Sequence, residues 1–208
     1  MFNSGLVPVR VGEKWKYLND SGKDAKIGTF DMASSMFDGV GAVKKGDTWQ
    51  LISTDGKAIN SDKYSDVAFD KFGCHTDGSC YIAAVGSEYA VYSPSGEKTT
   101  SLAGVSAVNV GRYSEPFAYQ DKSSGLWGYM DCSGNVVIKP AFAEAKGFSN
   151  GYAAVADDEG LWGIIDVAGV KVTDCEFYFI GYFTPELNCI VSRTAGAMGV
   201  LAFEYRFD

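Results

Sequence analysis

An internal repeat constrains this 208-residue chain more than any other feature. At five places a large side chain stands seven residues before a glycine, and a weaker sixth match begins at Met198. The five pairs are Trp15/Gly22, Trp49/Gly56, Tyr89/Gly96, Trp127/Gly134 and Trp162/Gly169. Successive anchors, from the first to Met198, lie 34, 40, 38, 35 and 36 residues apart. A period of this size predicts a stack of small units, each of which needs its neighbours to bury its apolar face.

Each glycine of these pairs ends a predicted tight turn. A short polar residue stands three positions before it, as Asp131 stands before Gly134. This pattern is typical of a type I turn, and glycine is favoured where the backbone becomes left-handed. Upstream of the turn, side chains alternate with period two, which indicates a strand. We therefore predict that each unit contains two strands, a tight turn and a third short strand.

The segment between units repeats as well. Mostly apolar residues recur in it at offsets of 0, 3, 6, 9 and 13. The three matches are Phe142, Ala145, Phe148, Gly151 and Val155; Phe30, Ala33, Met36, Gly39 and Val43; and Phe177, Ile180, Phe183, Glu186 and Ile190. Pro140 and the glycines favour an irregular strand or loop over a helical turn.

These patterns predict an all-β fold, with residues 1–208 forming one β-repeat domain. Its six hairpin units start near residues 6, 40, 81, 117, 152 and 187. The chain holds six anchor hairpins but only five connecting segments, so its two ends do not complete one shared blade. We therefore expect an open, solenoid-like or spiral stack, with a closed propeller-like ring as the alternative.

The sequence resembles the WG-repeat family over roughly residues 6–202, and the resemblance is specific in the second half. The resemblance rests on Trp127-Gly128 and Trp162-Gly163, each followed by a glycine-terminated turn, and on the following Ile138-Lys-Pro140. The segment 148–155 is similar to the connecting stretch of the family. The earlier units depart from the pattern, because Trp-Lys, Trp-Gln and Tyr-Ala replace Trp-Gly. The resemblance implies a bacterial β-repeat protein and supplies no catalytic residue.

Composition argues against several classes of partner. The net charge is −8 and the longest run of basic residues is Lys44–Lys45, whereas a nucleic-acid binder normally shows a basic face. The same acidity does not favour an anionic membrane surface. Residues 1–5 lack the features of a signal peptide, and no apolar segment is long enough to span a bilayer. We expect a cytoplasmic protein, with a truncated form of a longer exported protein as the alternative.

Five cysteines make an odd number for a disulfide framework. They are Cys74, Cys80, Cys132, Cys175 and Cys189. Because they are spread through the repeats, we interpret most of them as small apolar residues in a reducing compartment.

The period fails most clearly at residues 72–80, where the connection between the second and third units is longest. This insertion contains Cys74, Cys80 and the only histidine, His75. A closed zinc site needs four ligands, and neither a Cys-x-x-Cys motif nor a second histidine is present. We therefore predict a surface loop with incidental thiols, no metal and no cofactor.

The remaining candidates have structural explanations. The anchor tryptophans alternate with apolar neighbours, so we predict that they belong to the core and are not sugar platforms. Asp131 and Asp166 recur at equivalent turn positions, so we predict that they cap turns and that the chain has no catalytic residue. The acidic tip Asp157–Glu159 is explained by solvation, although it could dock a basic partner.

Three functions follow from these observations. The first is a non-catalytic binding or scaffold module, with another protein as the expected partner and unknown binding residues. The second is a carbohydrate- or small-ligand-binding protein that uses aromatic residues outside the framework. Those residues are Tyr113, Tyr119, Tyr178 and Tyr182. The third is an enzyme with its site in the insertion at 72–80.

Overall fold

The structure is a computed structural model that describes residues 4–36, 38–68, 80–111, 116–181, 183–184, 188–194 and 196–202. Within these ranges the chain forms twenty β-strands and no helix. The strands make six small antiparallel sheets, and in each sheet the strands lie side by side in chain order. The prediction of an all-β array of six hairpin units is confirmed.

We number the units by their sheets. Unit 1 contains β1 (Leu6–Val11) and β2 (Lys14–Asn19), and unit 2 contains β3 (Met32–Ala33), β4 (Val40–Lys45) and β5 (Thr48–Ser53). Unit 3 contains β6 (Asp66–Val67), β7 (Tyr81–Val85), β8 (Glu88–Tyr92) and β9 (Lys98–Leu102). Unit 4 contains β10 (Val105–Asn109), β11 (Phe117–Asp121), β12 (Trp127–Met130) and β13 (Val136–Phe142). Unit 5 contains β14 (Glu144–Ala145), β15 (Tyr152–Ala156), β16 (Trp162–Asp166) and β17 (Lys171–Phe177). Unit 6 contains β18 (Phe179–Ile180), β19 (Asn188–Thr194) and β20 (Ala197–Ala202).

The predicted tight turns are present. In unit 4 the N–H of Gly134 donates to the carbonyl oxygen of Asp131 over 3.0 Å, and Gly134 has a φ of +82°. A side chain is disfavoured at such a φ, which explains the glycine. The Asp131 carboxylate accepts hydrogen bonds from the N–H groups of Ser133 and Asn135, both at 2.9 Å. The polar residue and the glycine therefore serve one turn.

Each connecting strand joins two neighbouring sheets. Strand β13 ends at Phe142 and β14 begins at Glu144, so one residue separates the last strand of unit 4 from the first strand of unit 5. The end of each connecting strand pairs with the anchor residue of the unit that it leaves. These pairs are Trp15–Phe30, Trp49–Tyr64, Tyr89–Leu102, Trp127–Phe142 and Trp162–Phe177. The connection thus covers one hairpin before it starts the next sheet.

The core consists of five clusters, each between two successive units. The cluster between units 4 and 5 contains Tyr129 from one hairpin, Val155 from the next, and Phe148 from the connection between them. Because each cluster draws on both neighbours, no unit buries its apolar residues alone. The residue two positions after the anchor is buried in units 1 to 5. The anchors themselves are less buried than predicted, since among the tryptophans only Trp49 falls in the fully buried class.

The glycines of the two Trp-Gly pairs have a steric origin. Two positions of β12, from Trp127 to Tyr129, span four positions of β13, so β13 bulges opposite Gly128. A Cβ atom on Gly128 would lie 2.5 Å from the carbonyl oxygen of Ile138. On Gly163 it would lie 3.0 Å from the carbonyl oxygen of Asp174, in an equivalent bulge of β17. The site after the anchor is therefore crowded by backbone atoms in these two units.

One disulfide crosses from unit 3 to unit 4. It joins Cys80 and Cys132, whose Cα atoms are 6.2 Å apart and whose positions differ by 52 residues. The interpretation of these two cysteines as reduced apolar residues is therefore wrong. The packing of the two units brings them together, which the sequence pattern does not reveal. Cys175 and Cys189 are free thiols, as expected, and Cys74 lies outside the described residues.

The six sheets do not close into a barrel within the described residues, and their succession is compatible with both an open stack and a ring. The described part of the chain contains no helix with the length and hydropathy required to cross a bilayer.

Candidate interaction surface

One face of unit 6 is bare. On this face Ile190, Met198 and Val200 are 50%, 62% and 72% exposed. Ile190 and Val200 are opposite each other on β19 and β20. The equivalent pair in unit 5, Ala154 and Ile164, is buried. Nothing in the described residues packs on this side of unit 6.

The open edge of β20 explains this exposure. Units 3, 4 and 5 have a fourth strand beside the anchor strand, and in units 1 and 2 the anchor pairs with Phe30 or Tyr64 through an isolated bridge. In unit 6 β20 is the last strand of its sheet among the described residues. An open edge of this kind is a template for another strand.

In units 1 and 2, backbone hydrogen bonds join the anchor residue to the following connection. The N–H of Trp15 donates to the carbonyl of Phe30 over 2.7 Å, and the N–H of Phe30 donates to the carbonyl of Trp15 over 2.8 Å. Trp49 and Tyr64 make the same reciprocal pair. Met198 occupies the anchor position of β20, where the register between β19 and β20 shifts between the pairs Val191–Gly199 and Thr194–Ala197.

Gly199 differs from the glycines of the two Trp-Gly pairs in its surroundings. It follows Met198 as Gly128 follows Trp127, but a Cβ atom on Gly199 would meet nothing within 4 Å. Its φ also lies outside the left-handed region, so the backbone does not require glycine. Gly199 therefore has the residue type of the crowded sites without their crowding.

These glycines give a matched pair of substitutions. We expect Gly128→Ala to lower the free energy of unfolding by about 1–3 kcal/mol, because the new methyl group would overlap backbone atoms of the β13 bulge. We expect Gly199→Ala to change it by less than about 0.5 kcal/mol, since the site is open. Urea unfolding of both variants measures the difference. Equal losses would contradict the steric explanation of the Trp-Gly pair.

A groove of about 340 Å³ lies along β20. Its lining includes Phe177 and Leu201 and the exposed side chains of Met198 and Val200. At its margin Arg193 forms an ion pair with Glu176 at 2.7 Å and lies 5.0 Å from the ring centroid of Phe177. The groove thus joins the apolar side chains of β20 to a charged margin on the side of unit 5.

Lys146 holds unit 6 against unit 5. Its ammonium group lies 4.6 Å from the ring centroid of Trp162 and 4.9 Å from that of Phe179, and donates to the carbonyl of Ile180. Burial lowers the pKa of Lys146, and the Glu144 carboxylate opposes this shift. This contact fixes β18 on unit 5 and so positions the bare face.

The insertion at 72–80 is described only at its end. Cys80 is buried and engaged in the disulfide, while Cys74 and His75 lie outside the described residues. Where side chains are described, no three histidine, cysteine or acidic residues come close enough to hold a metal ion. Cys80 is thus the part of the insertion that the structure describes, and its role there is structural.

Of the four tyrosines proposed as ligand platforms, the structure describes two. Tyr119 is buried between units 3 and 4, so its assignment as an exposed aromatic is wrong. Tyr178 is exposed. Tyr113 and Tyr182 lie outside the described residues. The described aromatics therefore offer one exposed tyrosine of the four.

The acidic candidates serve turns. Burial acts to raise the pKa of Asp131, but hydrogen bonds from Asn135 and neighbouring backbone N–H groups outweigh it and hold the pKa below its usual value. Asp166 accepts from the N–H groups of Ala168 and Val170 in the same way. At the acidic tip, Asp157 accepts from the N–H groups of Glu159 and Leu161. The carboxylates are thus bound within their own turns.

Sequence reasoning missed the bare face because it assigned Met198 and Val200 to the framework. The available signal was Gly199, which follows Met198 as Gly128 follows Trp127. Only the structure shows that the other connections cover the anchor faces.

Part of this chain is similar in sequence to a known repeat family. The family model of the WG containing repeat matches residues 127–159, which span the Trp-Gly pair of unit 4 and the following connection. The resemblance is confirmed for this segment. No protein of curated function matches the chain significantly in sequence.

Solved structures share the fold at low identity. The computationally designed Ika8 protein has a TM-score of 0.60 at 10% identity, covering 97% of this chain and 69% of its own. Hsv2 from Kluyveromyces lactis has a TM-score of 0.58 at 14% identity, covering 97% of this chain and 72% of its own. BamB from Moraxella catarrhalis has a TM-score of 0.55 at 10% identity, covering 99% and 69%. These neighbours are propeller-like, and at such identities they show the fold alone.

Proposed function

We propose that this chain is a non-catalytic β-repeat scaffold that binds another protein through the bare face of unit 6. The observation that carries the proposal is the exposure of Ile190, Met198 and Val200. In every earlier unit the residue equivalent to Val200 is buried. Apolar patches rimmed by charge are typical of protein interaction sites. The ion pair of Arg193 with Glu176 lies at the margin of the groove along β20.

Charge and local chemistry support a protein partner over the other classes. The net charge of −8 is unfavourable for a phosphate backbone or an anionic membrane. The carboxylates considered for catalysis are held in separate turns, and a catalytic pair must converge on one substrate. The single described and exposed tyrosine of the proposed platforms gives a carbohydrate little to stack on.

Site-specific photo-crosslinking in the native host tests this proposal. A photoreactive residue in place of Met198 should yield a discrete adduct with one protein. The same residue in place of Val170, which is also exposed and apolar but lies outside the bare face, should not. The variant I190S/M198S/V200S should then lose that partner on co-purification while its melting temperature stays close to that of the wild type.

Two outcomes would overturn the proposal. The first is an identical adduct pattern from both positions, since this would indicate unspecific contact. The second is retention of the same partner by the triple variant, because the apolar face would then contribute nothing to binding.

A further inference from the structure

We infer that the cleft between units 1 and 2 binds a small aliphatic carboxylate, whose charge is held by Lys45 and Lys63. This cleft contains a cavity of about 130 Å³. The cavity shares no residue with the bare face of unit 6, so its occupancy does not depend on the proposed protein partner.

The cavity lies on the face of unit 2 that is turned toward unit 1. On this face Val43 and Ile52 pack with Phe30 in the cluster between the two units. Because side chains alternate along a strand, the same face of β4 and β5 continues into polar residues. The polar lining of the cavity consists of Lys45, Thr48, Gln50 and Lys63. An apolar cavity with a few polar groups is typical of a small-molecule site.

Lys45 has an equivalent in unit 6, where the positive charge is neutralised within the chain. The Lys45 ammonium group lies 5.1 Å from the ring centroid of Phe30, and the Arg193 guanidinium lies 5.0 Å from that of Phe177. Each ring belongs to the residue that pairs with the anchor of the preceding unit. Arg193 forms an ion pair with Glu176, the residue before Phe177, at 2.7 Å. A carboxylate therefore completes this arrangement in unit 6.

The cleft between units 1 and 2 lacks that carboxylate. The residue before Phe30 is Thr29, at the position that corresponds to Glu176. In the described part of the chain neither Lys45 nor Lys63 forms an ion pair. The position of the counter-ion is thus open to a ligand.

The carboxylate of Asp31, which follows Phe30, is engaged elsewhere. It forms an ion pair with Lys14 and accepts a hydrogen bond from the N–H of Gly46 at 2.8 Å. These two interactions hold the pKa of Asp31 below its usual value, so the group stays ionised where it is bound. Two ammonium groups therefore line the cavity without a counter-ion from this connection, and they attract an anion.

The lining selects a carboxylate on a short apolar body. The pair of Glu176 with Arg193 shows that a carboxylate fits beside a cation that lies over such a ring. The hydroxyl of Thr48 and the amide of Gln50 can donate to its oxygens. The apolar residues favour an alkyl chain, and a cavity of this size admits about six non-hydrogen atoms.

Butyrate matches this size, and butyramide is a neutral probe of the same shape. We expect butyrate, at constant ionic strength, to cause saturable shifts in the backbone amide NMR signals of Lys45, Thr48 and Gln50 in the full chain. Butyramide should not cause them at the same concentrations, because it has no charge for the two ammonium groups to bind.

Three lysine variants test the charge. Lys45→Gln and Lys63→Gln should each weaken butyrate binding by about threefold or more, the size expected for one exposed charge pair. Lys57→Gln removes the same charge from the same unit and should leave the affinity unchanged. Lys57 pairs with Asp55 at 2.6 Å and does not line the cavity.

Thr29→Glu tests the equivalence with unit 6. The new carboxylate should occupy the position that Glu176 occupies beside Arg193, and it should weaken butyrate binding by about tenfold or more through like-charge repulsion. Thr29 is exposed, so we expect the amide spectrum of the variant to keep the dispersion of the wild type.

Several outcomes would overturn the carboxylate site. They are the absence of saturable shifts, equal shifts with butyrate and butyramide, equal weakening by all three lysine variants, and undiminished binding by Thr29→Glu. A short peptide with a free carboxyl-terminal valine, compared with its amide, tests the source of the carboxylate. Tighter binding of the free-acid peptide than of butyrate would replace the small acid with a polypeptide terminus, and weaker binding supports the small acid.

Discussion

Replacing Phe148 with alanine is expected to lower the free energy of unfolding by about 3–5 kcal/mol. The Phe148 side chain is fully buried and packs against Tyr129, Ala153 and Val155 in the cluster between units 4 and 5. Its backbone also lies directly against Gly111, where an added Cβ would come within 2.0 Å of the Phe148 carbonyl oxygen. Because the surrounding backbone is so close-packed, the cavity left by the ring cannot collapse easily.

Urea unfolding followed by intrinsic fluorescence measures this loss, and Tyr178→Ala is the control. Tyr178 lies one residue after the equivalent connecting strand, but its side chain is 62% exposed. Its removal should change stability by less than about 0.5 kcal/mol. Similar losses in the two variants would show that burial of the connecting residues between units does not determine stability.

The hairpins could be predicted from the sequence because their signals are local. Asp131 and Gly134 belong to one four-residue turn, and the hydrogen bonds that explain them are made within that turn. The alternation in β12 likewise depends only on the period of a strand. The turns and the order of the units were therefore readable from one repeat at a time.

The burial of the anchor residues could not be predicted in the same way. Trp162 is partly exposed although Ile164, two residues later, is fully buried in the cluster between units 5 and 6. The meaning of Gly128 depends on a bulge ten or more residues away in the sequence. Such effects require the register between strands, which the repeat pattern leaves open.

The candidate surface was missed for a related reason. Met198 and Val200 are large apolar residues with the spacing of the anchor and second positions in the earlier units. Their exposure depends on a neighbouring strand that unit 6 lacks among the described residues. A pattern within one unit carries no information about whether its outer side is covered.

Removal of the disulfide is the second large expected effect. We expect the variant C80S/C132S, or the wild type in reductant, to be less stable by about 2–4 kcal/mol. The bond closes a loop of 52 residues and ties unit 3 to unit 4, so its loss returns conformational freedom mainly to the unfolded chain. Cys80 also lies in the apolar cluster between these units, where Ser is a poorer neighbour than Cys.

Thermal unfolding with and without reductant measures this effect, with Cys175→Ser as the control. The melting temperature of the wild type should fall in reductant, that of C80S/C132S should not, and Cys175→Ser should behave as the wild type because Cys175 is a free thiol. Alkylation before reduction, followed by peptide mapping, should leave Cys80 and Cys132 unmodified. Full alkylation of both in the native protein would show that the bond is absent.

The same measurement bears on where the protein works. Disulfides persist in oxidising compartments and are rare in the cytoplasm, so the Cys80–Cys132 bond and the prediction of a cytoplasmic protein oppose each other. Mapping the two cysteines in protein isolated from its native host, with thiols trapped at lysis, decides between them. A disulfide found there favours an exported protein whose binding surface on unit 6 faces extracytoplasmic partners, and free thiols favour the cytoplasm.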